Sequence, residues 1–94
     1  MPVNHTQLVI IQGKRICLAR TARGFLAIED ACPHMGESLS NGHINYMDEV
    51  TCPWHSYRYS LRDGKECENR TGYALIYPVK IDESGLYIGI DKSY

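Results

Sequence analysis

The sequence predicts an all-β fold, a small antiparallel sandwich or barrel formed by a single domain of residues 1–94. Short runs rich in β-branched and aromatic residues alternate between apolar and polar side chains, as half-buried strands do. Turn signals interrupt these runs about every 8 to 12 residues, a spacing typical of small all-β domains. No stretch has the periodicity of an amphipathic helix. A chain of 94 residues is long enough for one modest core.

The first half of the chain predicts four strands. Gly13-Lys14 is a tight turn between the first two strands, and residues 21–24 turn the chain into the third. A loop from Asp30 to about Leu39 follows, and a turn at residues 40–42 leads into a short fourth strand. The four predicted strands are residues 7–12, 15–20, 25–29 and 43–45.

The second half predicts shorter strands. Val50-Thr51 leads directly into a second loop, and Asp63-Gly64 is the signal of a hairpin turn. Pro78 lies inside a run that otherwise reads as one strand. Because proline has no backbone N–H to donate, this strand is expected at a sheet edge or with a bulge. The predicted strands are residues 50–51, 57–61, 74–81 and 86–90.

The composition excludes several classes of partner. Ten basic and eleven acidic residues are interspersed and give a net charge of −1, whereas nucleic acids and anionic membranes attract a concentrated basic face. No apolar run reaches the roughly 20 residues of a membrane span, and residues 8–11 are too short for the core of a signal peptide. We therefore expect a cytoplasmic protein that binds neither nucleic acid nor membrane.

The chain contains four cysteines, which in a reducing cytoplasm indicate metal binding more than disulfides when histidines lie nearby. Cys17 lies in an apolar run and is predicted to be a small buried side chain. Cys67 lies between Glu66 and Glu68, whose negative charges disfavour a thiolate, so it is not predicted to be a nucleophile.

The other two cysteines each form a short motif with a histidine. The motifs are Cys32-Pro33-His34 and Cys52-Pro53-Trp54-His55, with seventeen residues between them. Each motif offers a sulfur and an imidazole at a spacing at which both can bind one small group, and each lies in a loop after a predicted strand. The sequence therefore predicts a metal site with four ligands: Cys32, His34, Cys52 and His55.

Zinc and iron are the alternatives for this site. Two Cys and two His form an ordinary tetrahedral zinc set, but zinc fingers usually pair Cys with Cys and His with His along the chain. Here each motif supplies one of each, which suits a [2Fe–2S] cluster with one iron bound by two Cys and the other by two His. The ligand order favours the iron–sulfur cluster, and zinc remains the alternative.

The same residues resemble those of Rieske domains, in particular the small Rieske-type ferredoxins. All four positions of the C-x-H and C-x-x-H pattern are filled, and the resemblance extends through residues 31–36, 39–44, 61–65 and 77–81. It implies that Cys32 and Cys52 bind a buried ferric iron, while His34 and His55 bind an outer, redox-active iron. It also implies a cluster-binding part at about residues 31–61, formed by two loops at one end of the fold.

The resemblance implies an electron-transfer protein that is not itself an enzyme. High-potential relatives have a disulfide-forming cysteine in each loop, where this chain has Glu37 and Trp54, so the ferredoxin and oxygenase branch is favoured. A chain of 94 residues is expected to leave no room for a catalytic domain. The implied function is to carry single electrons from a reductase to a terminal oxygenase, with transient docking near His34 and His55. The alternative is the small subunit of a larger reductase, such as an NAD(P)H-dependent nitrite reductase.

Six further residues are predicted to surround the cluster: Met35, Gly36, Trp54, Ser56, Tyr57 and Tyr59. Met35 and Trp54, with Pro33 and Pro53, either form an apolar docking ring or shield the cluster from water. Ser56 stands where the family usually has glycine, and it is either a donor to a cluster sulfur or an ordinary loop residue.

Tyr59 stands where ferredoxin relatives usually have Phe. High-potential relatives have a Tyr there whose hydroxyl bonds a cysteine sulfur. Tyr59 is therefore predicted either to donate to Cys52 or to pack in the core with its hydroxyl at the surface. A proline-containing loop of the relatives is missing, and residues 69–72 occupy its place.

Seven further side chains are predicted to pack in the core, to steer a partner or to be solvated. Tyr73, Tyr77 and Tyr87 alternate with apolar residues and are predicted to pack in the sandwich. The charged residues Glu37, Asp48, Glu49 and Arg58 either steer a redox partner or are simply solvated.

Overall fold

The computed structural model describes residues 2–33, 36–54 and 56–89. Nine strands lie in these ranges, together with one turn of 3₁₀ helix at Leu39–Asn41. No helix in this part of the chain is long and apolar enough to cross a membrane. The predicted all-β class is confirmed. The strands are β1 His5–Ile11, β2 Lys14–Thr21, β3 Gly24–Glu29, β4 His43–Ile44, β5 Glu49–Thr51, β6 Arg58–Ser60, β7 Ile76–Tyr77, β8 Val79–Asp82 and β9 Gly85–Ile88.

The strands form three antiparallel sheets. Four strands pair in the order β1-β2-β3-β7, three pair in the order β4-β5-β6, and β8 and β9 form a separate hairpin. The turn between β1 and β2 is Gln12-Gly13, one residue earlier than predicted. Both residues have positive φ, 52° and 80°, which matches the right-handed twist of a tight hairpin.

The central strand β2 is buried on both faces and separates two apolar clusters. Cys17 belongs to a cluster that includes Tyr59 of β6, whereas the adjacent Ile16 belongs to a cluster that includes Leu86 of β9. Successive residues of a strand point to opposite faces of its sheet. The four-stranded sheet therefore lies between the three-stranded sheet on one side and the β8–β9 hairpin on the other.

Pro78 divides the segment that was predicted as one strand at residues 74–81. β7 ends at Tyr77, Pro78 belongs to neither strand, and β8 begins at Val79. The two strands pair in different sheets, β7 with β3 and β8 with β9. The prediction of a single strand is wrong because proline, which lacks a backbone N–H, marks the point where the chain changes sheets.

Two of the three tyrosines that were predicted to pack in the sandwich lie at the surface instead. Tyr77 packs on the cluster that contains Ile16. Tyr73 and Tyr87 are 63% and 49% exposed. Tyr87 alternates with the half-buried residues Leu86 and Ile88, so it lies on the outer face of the hairpin, which no further layer within the described ranges covers.

Gly64 shapes the turn that follows β6. Its φ is 82°, and a Cβ at this position would overlap the carbonyl oxygen of Ala74. The Gly64 carbonyl oxygen in turn accepts a hydrogen bond from the Ala74 N–H at 2.8 Å. The turn predicted at Asp63-Gly64 is confirmed, since Tyr59 forms an antiparallel bridge with Glu66 across it. This turn directs the chain into the loop that lies beside the site.

Candidate metal centre

The first cysteine–histidine motif lies in a loop that leaves β3 at Glu29. Cys32 donates its backbone N–H to the carbonyl oxygen of Glu37 at 2.8 Å, and Gly36 donates its N–H to the carbonyl oxygen of Cys32 at 2.7 Å. Gly36 has a φ of 77°, which glycine adopts without strain. These bonds close the loop over residues 32–37 and fix the backbone of Cys32.

The second motif lies in a loop with a related closure, between β5 and β6. Cys52 donates its N–H to the carbonyl oxygen of Tyr57 at 2.7 Å, so in both loops the cysteine bonds the fifth residue after it. β5 and β6 pair directly and fix the two ends of this loop. Gly42, which follows the first loop, lies against the carbonyl of Thr51, where no Cβ would fit. The close approach at Gly42 brings the end of the first loop to the strand that carries the second motif.

The two motif cysteines are buried in the same cluster, between the four-stranded and three-stranded sheets. Burial, together with the neighbouring Cys32 and Glu37, raises the pKa of the Cys52 thiol to about 11, although a backbone hydrogen bond from Trp54 lowers it. Metals bind the thiolate form, and two thiolates in an apolar environment require a cation to compensate their charge. All four cysteines of the chain are free of disulfides. The cysteine pair therefore fits a metal centre.

The predicted ligands His34 and His55, and the predicted neighbour Met35, lie outside the described residues. Across residues 2–33, 36–54 and 56–89, no three His, Cys, Asp or Glu side chains are grouped so that they could hold a metal ion. The described part of the site thus contains Cys32 and Cys52, two of the four predicted ligands.

Tyr59 places its hydroxyl within hydrogen-bond distance of the cysteine of the first motif. Its buried hydroxyl lies 3.3 Å from Cys32 Sγ, so the predicted partner Cys52 is wrong, and so is the alternative of a hydroxyl at the surface. Tyr59 pairs with Val50 across β5 and β6, and its side chain enters the core that Cys32 reaches from the first loop. Burial and the bond with Cys32 both raise the pKa of Tyr59, which stays protonated.

The loop after β6 is held by the buried carboxylate of Glu66. This carboxylate accepts three hydrogen bonds from Arg70: from the backbone N–H at 2.7 Å, from Nε at 3.2 Å and from Nη2 at 2.6 Å. The bonds from Arg70 lower the pKa of Glu66 to about 2, against the raising effect of burial. The guanidinium of Arg70 also lies 3.8 Å from the centroid of the Tyr57 ring. The loop after β6 is thereby attached to the loop of the second motif.

Thr71 is a neighbour of the site that the sequence did not reveal. Its Oγ1 lies 3.3 Å from the Tyr59 hydroxyl and donates a hydrogen bond to the carbonyl oxygen of Gly72 at 2.8 Å. Residues 69–72 therefore approach the site through a threonine, in place of the proline-containing loop of the relatives. Residues 66–71 are an irregular segment, so no pattern in the sequence marks Thr71 or the pairing of Glu66 with Arg70.

Asp30, two residues before Cys32, is a second buried carboxylate, and no motif in the sequence marks it. Its Oδ2 accepts from Ser38 Oγ at 2.6 Å and from Arg15 Nη2 at 3.2 Å, and its Oδ1 accepts from the Ser40 N–H at 2.8 Å. Burial alone would raise the pKa of Asp30, but these hydrogen bonds and the charge of Arg15 outweigh it and hold the pKa below its usual value. Asp30 therefore ties the beginning of the first loop to its end.

The other predicted neighbours lie at or near the surface of the two loops. Trp54 is 49% exposed, Pro33 and Pro53 are exposed as well, and Tyr57 is half-buried. Ser56 is exposed and has a φ of 58°. Because this left-handed conformation favours glycine, a glycine at this position would avoid the strain of the serine backbone.

The remaining cysteines, Cys17 and Cys67, belong to neither motif. Cys17 is fully buried, and burial raises its pKa to about 12, in agreement with the predicted small core side chain. Cys67 is half-buried, and its Sγ donates to Glu66 Oε2 at 3.7 Å.

Asp48 is not a solvated surface charge, so the prediction that it is simply solvated is wrong, while a role in steering a partner stays a prediction. The carboxylate is buried and forms ion pairs with Arg23 at 3.1 Å and Arg62 at 3.4 Å. Its N–H donates to Asn45 and its carbonyl accepts from Leu61, so the residue joins the β4–β5 turn to the end of β6.

Comparison with known proteins identifies the family. Residues 1–74 match the Rieske [2Fe-2S] domain. The 3-phenylpropionate/cinnamic acid dioxygenase ferredoxin subunit of Photorhabdus laumondii is 33% identical over 69 residues, which cover 72% of this chain and 66% of that protein. The protein of the same name from Shigella boydii is 32% identical over 79 residues, which cover 83% of this chain and 74% of that protein.

Solved structures show the same fold at lower identity. The ferredoxin of carbazole 1,9a-dioxygenase from Nocardioides aromaticivorans has a TM-score of 0.87 at 20% identity, covering 94% of this chain and 86% of that one. A chain from a complex of reduced oxygenase and oxidized ferredoxin in carbazole 1,9a-dioxygenase has a TM-score of 0.86 at 24% identity, covering 95% and 92%. A protein described as an NADH-dependent nitrite reductase small subunit from Mycobacterium tuberculosis has a TM-score of 0.81 at 20% identity, covering 92% and 81%.

Family membership accounts for the composition of the two motifs. A Rieske [2Fe–2S] cluster has two Cys and two His ligands. The relatives of this chain are named ferredoxin subunits, which are electron carriers. The match covers most of the sequence and includes a relative at 32% identity. This chain belongs to the Rieske [2Fe–2S] domain family, and it is an electron-transfer protein that carries one such cluster.

Proposed function

We propose that this protein is the ferredoxin component of a multicomponent oxygenase, which receives single electrons from a reductase and delivers them to a terminal oxygenase. The observation that carries this proposal is the pair of buried cysteines, Cys32 and Cys52, at equivalent positions of two closed loops. The names of the relatives, which are ferredoxin subunits of dioxygenases, support the choice of partner.

The ligands that we assign to the cluster are Cys32, His34, Cys52 and His55. The two buried cysteines would hold one iron, and the histidines of the same two loops would hold the other. When bound, the cluster supplies a one-electron couple, and neutral imidazoles in place of two thiolates raise its potential into the range of about −150 to +300 mV.

The described residues bury the cysteine side of the centre and expose side chains close in sequence to the histidine positions. Cys32 and Cys52 are buried. Exposed residues within two positions of a motif histidine include Pro33, Pro53 and Trp54. An electron would therefore enter and leave on the side of the centre where Pro33, Pro53 and Trp54 lie. The exposed apolar side chains there suit a small, transient docking surface of the kind that redox proteins use.

The assignment is tested by ligand variants of protein purified without oxygen. The wild type should contain two iron and two sulfide per chain, and reduction with dithionite should give the low-average-g EPR signal of mixed His and Cys ligation. Cys52→Ser and His55→Ala should lose this signal, whereas the matched variants Cys67→Ser and His43→Ala should keep it. Stoichiometric zinc and no EPR signal in the wild type would contradict the proposal.

The alternative function, a small subunit of an NAD(P)H-dependent nitrite reductase, differs in the partner. The fold is shared with a nitrite reductase small subunit, and this shared fold is compatible with either function. Affinity purification from the native host separates the two. A terminal oxygenase or its reductase should be captured, and a stable complex with a large protein containing flavin and siroheme would instead establish the alternative.

We also propose that the protein acts in the cytoplasm. Four free cysteines fit a reducing compartment, in which cysteine ligands remain available for a metal. Fractionation of the native host should recover the protein with the cytoplasmic markers.

A further inference from the structure

The Tyr59 hydroxyl has more acceptors within reach than it has protons to donate. Its oxygen lies 3.3 Å from Cys32 Sγ and 3.3 Å from Thr71 Oγ1. A tyrosine hydroxyl carries one proton. At any moment Tyr59 can therefore donate a well-directed hydrogen bond to only one of these two neighbours.

We assign Thr71 the acceptor role toward Tyr59, because its own proton is donated to the carbonyl oxygen of Gly72. The Thr71 hydroxyl donates to the carbonyl oxygen of Gly72 at 2.8 Å, the usual length of such a bond. This is shorter than the 3.3 Å between the two hydroxyl oxygens. The Tyr59 hydroxyl can thus donate to a lone pair of Thr71 Oγ1.

Cys32 faces Tyr59 as an acceptor as well, once it binds a metal. This step rests on the proposed function, in which Cys32 is a cluster ligand. A metal-bound cysteine is a thiolate and has no proton of its own to donate. The protonated Tyr59 therefore lies between two acceptors, one of which gains negative charge when an electron arrives.

We propose that Thr71 competes with Cys32 Sγ for the Tyr59 proton and thereby lowers the stabilisation that Tyr59 gives to the reduced centre. Hydrogen bonds to charged acceptors are stronger than those to neutral acceptors, so reduction favours the orientation toward sulfur. That orientation then costs the bond to Thr71. The O–H bond of Tyr59 stays intact, and only its direction changes.

The loop that carries Thr71 is held in place by contacts of the preceding residue. Arg70, the preceding residue, is bound by the buried carboxylate of Glu66 and stacks on Tyr57. Thr71 itself is half-buried. Its hydroxyl therefore lies beside Tyr59 on a loop segment whose preceding residue is held by an ion pair and a ring contact.

The test is a double-mutant cycle read by redox titration. Thr71→Val keeps the shape of the side chain and removes the acceptor, so the midpoint potential should rise. If Thr71 no longer competes for the Tyr59 proton at all, the equilibrium constant of reduction should increase by about tenfold, which is 59 mV for a one-electron couple. Thr71→Ser, the matched control, keeps the hydroxyl and should leave the potential unchanged. In a Tyr59→Phe background, Thr71→Val should have no effect.

Three results would overturn the inference: an unchanged potential in Thr71→Val, a lowered one, or a shift that persists in the Tyr59→Phe background. Thr71→Ala also removes the acceptor and replaces Thr71→Val if that variant fails to fold. EPR of each variant separates this inference from the proposed function. A wild type without a [2Fe–2S] signal contradicts the function, whereas a normal signal without the shift contradicts only the role of Thr71.

Discussion

The guanidinium of Arg70 lies over the aromatic ring of Tyr57, 3.8 Å from its centroid. The carbonyl oxygen of Tyr57 closes the loop of Cys52, and Arg70 is bound by the buried carboxylate of Glu66. Contacts between a cation and an aromatic ring contribute about 0.5 to 2 kcal/mol, more when they are shielded from water. Glu66, which belongs to neither motif, should therefore help to hold the loop of the second motif in its conformation.

Glu66→Gln should destabilise the folded protein by roughly 2 to 3 kcal/mol. Its hydrogen bonds with Arg70 lower the pKa of Glu66 from 4.5 to about 2, and each pKa unit corresponds to about 1.4 kcal/mol. Because Arg70 is partly exposed, water can solvate it in the variant and reduce the loss. Urea unfolding at pH 7 measures the change. Glu68→Gln, at an exposed neighbouring position, is the control and should unfold like the wild type.

Stability should also fall in acid, in a range set by the same carboxylate. Glu66 and Asp30 both have a lower pKa in the folded protein than in the unfolded chain. A carboxylate of this kind contributes stability that is fully present above its unfolded pKa and is lost as the pH falls through its folded pKa. For Glu66 the loss should extend from about pH 4.5 to about pH 2. The urea midpoint, measured from pH 7 downward, should fall less steeply in an Asp30→Asn, Glu66→Gln variant, and an equal slope in both proteins would contradict this account.

Tyr59→Phe should lower the midpoint potential of the centre by tens of millivolts. The hydroxyl lies 3.3 Å from Cys32 Sγ, and a hydrogen bond to a sulfur ligand stabilises the reduced, more negative form. A bond of about 1 kcal/mol corresponds to roughly 40 mV for a one-electron couple. Tyr46→Phe removes a hydroxyl from an 83% exposed ring and should leave the potential unchanged. Identical potentials in wild type and Tyr59→Phe would rule out a functional bond.

The sequence predicted the cysteine pair because ligand spacing along a loop is a local property. The partner of Tyr59 was not predictable in this way, because it depends on the pairing of β5 with β6 and on where the first loop enters the core. Thr71 lies twelve residues from Tyr59 in an irregular segment, where no periodic pattern reports contacts. Pro78 was recognised as a constraint on its strand, but the residue alone did not reveal a change of sheet.

Ser56→Gly should stabilise the folded protein by about 0.5 to 1 kcal/mol. Ser56 has a φ of 58°, and an L-residue in the left-handed region costs roughly 1 to 2 kcal/mol, which glycine avoids. Glycine also increases the entropy of the unfolded chain, at a cost of about 0.4 to 1 kcal/mol, so only part of the relief remains.

Ser56→Ala is the matched control for this change, because alanine keeps the Cβ and hence the strain but loses the hydroxyl. Urea unfolding should therefore rank Ser56→Gly above the wild type and Ser56→Ala no higher than the wild type. If both variants gain equally, the backbone conformation is not the cause. The redox potentials of the two variants report separately on the hydroxyl. A lower potential in both would indicate that Ser56 Oγ donates a hydrogen bond to a cluster sulfur, because the loss of this atom is the change that the two variants have in common.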